Sequence, residues 1–305
     1  MTRAFILNKD LEKSYIDDTP NMCTVKHEVI TFSGGEPHVK ITNPDRYSDT
    51  KGVVFVTKLR TPKDLIELAC AVDAFDQLGT GADVHLQIGY LPGGRQDRVC
   101  VPGEAFTAKV YANLINNLAE WSSISFIDSH SDVMPALLDH CIDHNVYNFV
   151  DEAIVELDLE DFTLVSPDAG ANKKVLGLAQ HITNSNFENV KKVEVVRADK
   201  LRDVSTGQIL ETIVYSDSLK GKDCVIVDDI CDGGRTFIEL AKVLRDKGAR
   251  NIILIVTHGI FSKGYEVVLE HVDQIVTTNS FADLTDDNGD SITVIGLNSN
   301  FYTYK

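Results

Sequence analysis

The chain has 305 residues, 43% apolar and 25% charged, enough for a sizeable core in two soluble globular domains. Its net charge of −17 excludes nonspecific binding to nucleic acid or to an anionic membrane, so an anionic substrate must be held by locally placed cations, glycine loops or metal ions. The six cysteines, at 23, 70, 100, 141, 224 and 231, form no C-x-x-C pair, as expected of reduced thiols in a cytoplasm, and neither a secretion signal nor an apolar run near 18 residues is seen.

Residues 1–50 read as short strands and turns. Val39 and Ile41 flank Lys40 in a two-residue period, and Phe32-Ser33-Gly34-Gly35-Glu36 reads as a hairpin loop presenting an aromatic ring and an acid. Residues 53–57 (VVFVT) have the make-up of a buried strand. Thr61 and Pro62 then start a helix, with Leu65, Leu68, Ala69, Val72 and Phe75 as its apolar stripe. Val84, Leu86 and Ile88 alternate as a strand. Arg95-Gln96-Asp97-Arg98 follows, crowding two guanidiniums and a carboxylate where α/β sheets bind ligands; by itself the string reads equally as a solvated loop. Strand 124–127 ends in Asp128-Ser129-His130, where a lone histidine is more often structural. Residues 131–160 read as a crossing between domains, with Asp139, His140, Asp143 and His144 on a wet helix face rather than at a metal site.

Strand 163–165 leads into Ser166-Pro167-Asp168-Ala169-Gly170-Ala171-Asn172-Lys173-Lys174, where Gly170 lets backbone approach a phosphate, and a helix runs from Val175 to His181. A strand at 193–196 precedes a polar, mobile loop, 197–207, that carries Lys200 and Arg202. The most informative stretch is 223–248. An apolar strand (Cys224, Val225, Ile226, Val227) meets two acids, Asp228 and Asp229, and then the turn Asp232-Gly233-Gly234-Arg235-Thr236. An amphipathic helix follows with Phe237, Leu240, Ala241 and Leu244 on one face. A glycine turn at a helix start suits a phosphate monoester, and paired carboxylates suit vicinal hydroxyls, so the pair points to ribose 5-phosphate; the alternative is an ordinary strand–turn–helix with solvated acids. Strands at 251–256 and 272–277 come next, then a hairpin-type turn at 286–290, strand-like residues and the tail to Lys305.

In this order the motifs resemble those of PRPP synthetases (ribose-phosphate diphosphokinases), and the 223–248 stretch also resembles type I phosphoribosyltransferases. The resemblance implies two doubly wound α/β domains of type I phosphoribosyltransferase-like fold with mostly parallel sheets. Residues 1–145 form the ATP side, 146–285 the ribose 5-phosphate side, and 286–305 a tail packing back on the first domain. It implies that Phe32, Glu36, Arg95, Gln96, Asp97, Arg98 and His130 bind ATP, and that Asp168, Ala169, Gly170 and Lys173 belong to the pyrophosphate loop. Asp228, Asp229, Asp232, Gly233, Gly234, Arg235 and Thr236 would bind ribose 5-phosphate. Lys200, Arg202 and His130 would be catalytic, and Asp128, His130 and Asp168 would meet the metal, Mg2+. The implied activity is transfer of the diphosphoryl group of ATP to ribose 5-phosphate in nucleotide biosynthesis, by a cytoplasmic homo-oligomer, dimer or hexamer, without nucleic acid or membrane as partner. A phosphoribosyltransferase or a non-catalytic regulatory subunit is the alternative. The chain departs from the family pattern at Gly34 (Asp or Asn), Ser129 (Leu), Ala171 (Gly), Gly233 (Thr) and Arg235 (Gly), and its end lacks the Ser-Val-Ser-like loop that supplies a regulatory anion site, so activity is expected to be largely independent of added phosphate.

Overall fold

Short apolar runs alternating with amphipathic helices favour parallel strands joined by crossovers, and a computed structural model shows that arrangement twice. It describes residues 1–18, 22–185, 187, 190, 193–202, 209–284 and 291–297. The chain divides into one unit of Met1–Asn145 with the chain from Gly296, and another of Val146–Ile295.

The first unit contains β1 (Thr2–Ile6), α1 (Lys9–Asp18), β2 (Cys23–Thr24), β3 (His27–Thr31), β4 (Pro37–Ile41), β5 (Gly52–Thr57), α2 (Pro62–Asp76), β6 (Asp83–Ile88), α3 (Thr107–Asn116), β7 (Ser123–Ile127), α4 (Val133–Leu137) and β8 (Cys141–His144). Its sheet runs β2-β1-β5-β6-β7-β8, every neighbouring pair parallel. All six residues of β5 are buried, as a strand covered on both faces requires. Phe55 is the centre of the packing: its ring stacks on Phe5 at 5.1 Å and meets Phe75 and Trp121 edge-on at 6.1 and 6.2 Å. Helix α2 starts at a capping box between Thr61 and Asp64 with Pro62 in the first turn, as the sequence predicts. β3 and β4 form a separate antiparallel hairpin, and β4 packs on α2.

Two expectations for this unit change. Residues 9–18 are helical rather than strands and turns, because Leu11 and Tyr15, one turn apart, bury almost completely while most of the segment is polar. Residues 141–144 are an edge strand rather than a wet helix face, since four residues are too few for periodicity to decide and pairing with β7 does.

The second unit contains α5 (Tyr147–Glu156), β9 (Phe162–Ser166), α6 (Asn172–Asn184), β10 (Glu194–Arg202), β11 (Ile209–Val214), β12 (Asp223–Cys231), α7 (Arg235–Asp246), β13 (Ile252–Gly259), α8 (Glu266–Leu269), β14 (Gln274–Thr278) and β15 (Ile292–Ile295). Its sheet runs β11-β10-β9-β12-β13-β14-β15 and is parallel except for the β10–β11 pair. The predicted stripe of α7, Phe237, Leu240, Ala241 and Leu244, is buried against it.

Two further expectations change here. Residues 197–202 are strand, not mobile loop, because the apolar 209–214 segment supplies an antiparallel partner that pairs Lys200 with Thr212. The rest of that loop, 203–208, lies outside the described residues. β15 lies parallel to β14, so the two are not arms of a hairpin, and the turn expected at 286–290 lies outside the described residues. The 286–305 segment therefore divides: Ile292–Ile295 joins the second sheet, while Leu297 accepts a 2.9 Å bond from Ser14 Oγ in the first unit. The tail 298–305 is outside the described residues. Among the described residues no helix is long and apolar enough to cross a membrane.

Candidate active site

A parallel sheet brings the loops that follow its strands to one edge. In the second unit those loops follow β9, β12 and β13. After β9 the chain turns on Asp168: Ser166 Oγ donates to the Asp168 carbonyl at 3.0 Å, and the Ala171 N–H donates to Asp168 Oδ1 at 3.1 Å. Helix α6 then begins with Lys173 and Lys174 and no acid in its first turn. After β12 the chain passes through Asp232 and Gly233 to Gly234, the N-cap of α7, with φ +74°. A side chain at 234 would be strained by that φ and would bring a Cβ to 2.4 Å from Val268 Cγ2. No acid occupies the first turn of α7 either, and Arg235 is its first residue. A helix dipole disfavours cations at this end, so both helix starts suit an anion.

Lys200 joins these loops. Its Nζ donates to Asp168 Oδ2 at 2.8 Å and to Thr236 Oγ1 at 3.3 Å, and its side chain is only 5% exposed. Burial works to raise the Asp168 pKa. The Lys200 bond and charge, with the Ala171 and Gly170 N–H groups, outweigh it and hold the carboxyl below its usual range. At the end of β12, Asp229 is buried and its N–H donates to Asp228 Oδ1 at 3.0 Å. Burial first, and repulsion from Asp229 second, push the Asp228 carboxyl well above the usual range. An ammonium, two carboxylates that resist joint ionisation and two helix starts without an acid in their first turn thus share one edge.

The turn after β13 is bonded to the same loop. The Ile260 and Phe261 N–H groups donate to the Cys231 carbonyl at 2.9 and 3.1 Å, and the Ser262 N–H donates to the Asp232 carbonyl at 3.2 Å. Below it, His258 Nδ1 and Ser280 Oγ lie 2.8 Å apart, both buried. Sequence reasoning passed over this turn; its only signal was a Ser-Lys-Gly string after an apolar strand.

In the first unit the loops after β6 and β7 meet. The Gln96 carbonyl accepts the Ala108 N–H at the start of α3 at 3.2 Å, and Arg98 Nε donates to Asp97 Oδ1 at 2.9 Å while the Arg98 side chain stays 74% exposed. The Arg98 bond is the largest influence on Asp97 and lowers its pKa. Burial opposes this, and a Ser131 bond and the Arg98 and His130 charges add to the lowering. A Cβ at Gly94 would lie 3.6 Å from His130 Cβ. Asp128 is buried in the left-handed region, φ +56°, with its N–H on the His144 carbonyl at 2.8 Å. Arg95, Gln96, Asp97, Arg98, Asp128 and His130 are thus placed on two adjoining loops. Phe32 and Glu36 sit apart from them in sequence, on the β3–β4 hairpin, closed by the Phe32 N–H on the Glu36 carbonyl at 2.9 Å. The Phe32 ring is 57% exposed. A Cβ at Gly34 would meet Glu36 Oε2 at 2.5 Å, so the family's Asp or Asn there would require Glu36 to move. Arg202 ends β10, and its side chain lies outside the described residues.

Comparison with known proteins finds similarity along most of the chain. Residues 183–295 match the family model described as the phosphoribosyl synthetase-associated domain. The ribose-phosphate pyrophosphokinase of Mycoplasmopsis pulmonis is 28% identical over 284 residues, covering 88% of this chain and 85% of that protein. That of Vibrio cholerae is 29% identical over 257 residues, covering 83% and 77%. Along most of its length the chain is similar to ribose-phosphate pyrophosphokinases. Its fold is also that of a phosphoribosylpyrophosphate synthetase from Mycobacterium smegmatis, with a TM-score of 0.80 at 22% identity over 97% of this chain and 94% of that one. Lys200, Asp168 and the paired Asp228 and Asp229 lie at one sheet edge of this chain.

Proposed function

We propose that this chain transfers the diphosphoryl group of ATP to the 1-hydroxyl of ribose 5-phosphate, giving PRPP and AMP. The observation that carries the reading is the Lys200 ammonium, buried between Asp168 and Thr236, which links the loops assigned to diphosphate and to ribose phosphate. In this reading the loop 232–236 receives the 5-phosphate on its N–H groups, and Asp228 and Asp229 accept hydrogen bonds from the ribose hydroxyls. Arg95, Gln96 and Arg98 bind the triphosphate, with Asp97 orienting Arg98, and His130 faces the same group. Phe32 and Glu36 contact the base. The 1-hydroxyl attacks the β-phosphorus and AMP leaves. Lys200 and Arg202 offset the charge that moves onto the transferred group, and Lys173 and Gly170 support the product diphosphate.

Magnesium fits the donors present. It takes one or two carboxylates and substrate phosphates rather than a protein cage. Among the described residues no group of three or more His, Cys, Asp or Glu could hold a metal. Asp168, Asp128 and His130 are the groups that would meet it; when bound, the ion neutralises phosphate oxygens. The exposed Val29, Ile30 and Phe32 of the hairpin suit contact with a second copy, which supports a homo-oligomer, and six free thiols support a cytoplasmic setting. The test is AMP and PRPP release measured with ATP, magnesium and ribose 5-phosphate. Equal amounts of both products are expected, and PRPP consumption without synthesis would instead make the chain a phosphoribosyltransferase.

A further inference from the structure

The turn Phe261–Gly264 is held rigidly. Its N–H groups reach the Cys231 and Asp232 carbonyls, the Gly264 N–H closes it on the Phe261 carbonyl at 2.8 Å, and the Phe261 ring is buried edge-on to Tyr265. Lys263 stands at the corner of this turn. Its aliphatic stem lies over Gly233: a Cβ built at 233 would be 3.5 Å from Lys263 Cε and 3.6 Å from Cδ, with Ser262 Oγ at 3.9 Å. The stem therefore sits beside the Cα where the resembled family carries threonine, and where this chain has lost that hydroxyl donor.

Charge points the same way. Several cations of this unit are paired: Lys200 with Asp168, Lys222 with Glu194, Arg245 with Asp273 and Arg250 with Asp223. Among the described residues Lys263 and Arg235 pair with no carboxylate, and they flank Gly233 and Gly234 from two elements. In a chain of net charge −17, two unpaired cations beside an N–H-lined turn at a helix start mark a place for an anion.

We infer that Lys263 is a binding residue for the phosphate of ribose 5-phosphate, supplying through its ammonium the donor that Gly233 lacks. The inference rests on the proposed function. It gives Lys263 no part in the moving charge at the β-phosphorus, so it should affect sugar phosphate affinity and not the rate at saturation.

The test compares Lys263→Met, which keeps the stem, and Lys263→Arg, which keeps the charge, by calorimetry with ribose 5-phosphate and by steady-state kinetics. A lost charge-assisted bond at an exposed site predicts about tenfold weaker ribose 5-phosphate binding and a matching rise in its KM for Lys263→Met. The kcat and the KM for ATP should stay within about twofold, Lys263→Arg should restore most of the affinity, and the loss should shrink with added salt. Unchanged affinity in Lys263→Met, with the wild type binding and turning over, would overturn the assignment alone. A wild type that neither binds ribose 5-phosphate nor releases AMP would overturn the proposed function, and this inference with it.

Discussion

The two charged sheet edges are built in opposite ways. In the second unit Lys200 is buried and already bonded to two loops, whereas in the first the Arg98 guanidinium reaches only its neighbour Asp97 among the described residues and stands open to solvent. A buried, prearranged cation acts strongly on charge that moves during reaction, because little reorganisation remains. An exposed guanidinium is screened and mobile, and serves ground-state binding of a polyanion. Under the proposed function, the comparison separates residues expected to govern kcat from those expected to govern substrate affinity.

Lys200→Ala should break the first half of that contrast most severely. A loss of about 100-fold or more in kcat is expected, with ATP affinity nearly intact. Tenfold weaker ATP binding with unchanged kcat would place Lys200 in ground-state binding instead. The substitution also removes what lowers the Asp168 pKa, so Asp168 should titrate at higher pH and the acid limb of the rate profile should move up. For stability the sign is fixed: a carboxyl depressed in the fold stabilises above its unfolded pKa and loses that contribution as pH falls through the folded value. The variant should thus lose less stability than wild type on acidification, as melting curves across the acid range can measure.

Asp228→Asn and Asp229→Asn should each weaken ribose 5-phosphate by about tenfold or more, since an amide accepts without full charge. Unchanged binding by calorimetry in both variants would remove the acids from the sugar site. Asp228 carries a second consequence. Its folded pKa is raised, so ionisation destabilises the fold once pH exceeds the ordinary carboxyl value. Asp228→Asn should then raise Tm near neutral pH, by about 2–4 °C if ~1 kcal/mol is recovered, and the gain should vanish below the unfolded pKa. A lower Tm at neutral pH would contradict the raised pKa.

Arg98→Ala should be milder: ATP some three- to tenfold weaker, ribose 5-phosphate binding unchanged, and the loss smaller at high salt. A large fall in kcat would mean that the exposed edge closes into an arrangement as fixed as the other. Thiol labelling probes the same difference with the smallest effect on function. Cys100, exposed in the loop beyond Arg98, should react readily, while Cys224 and Cys231 on the strand before the 232–236 loop are buried, with thiols pushed up by burial to about 11 and about 12. Equal labelling rates in the native protein would show that the second edge opens as freely as the first.

Much of this was legible in the residues. The strands that bury both faces, such as 53–57 and 252–256, announce themselves as unbroken apolar runs, and Thr61-Pro62-Lys63-Asp64 specifies its own helix start. Helix 9–18 was hidden because Leu11 and Tyr15 are buried in a mostly polar segment, and strand 141–144 because four residues are too few for a period to show. The extension of β10 to Arg202 depends on a partner strand further along the chain, which no local pattern reveals. The site motifs were readable as strings. The Lys200 bond to Asp168 and the place of Lys263 over Gly233 were not, because each joins loops that only the sheet brings together.

The central claim, that a buried Lys200 serves diphosphoryl transfer, is tested most directly by isotope position. With ATP labelled at the β-phosphorus, magnesium and ribose 5-phosphate, the account predicts that label appears in the diphosphate of PRPP, that unlabelled AMP forms in equal amount, and that Lys200→Ala slows both together. Label recovered in ADP, or AMP formed at the same rate without ribose 5-phosphate, would contradict it.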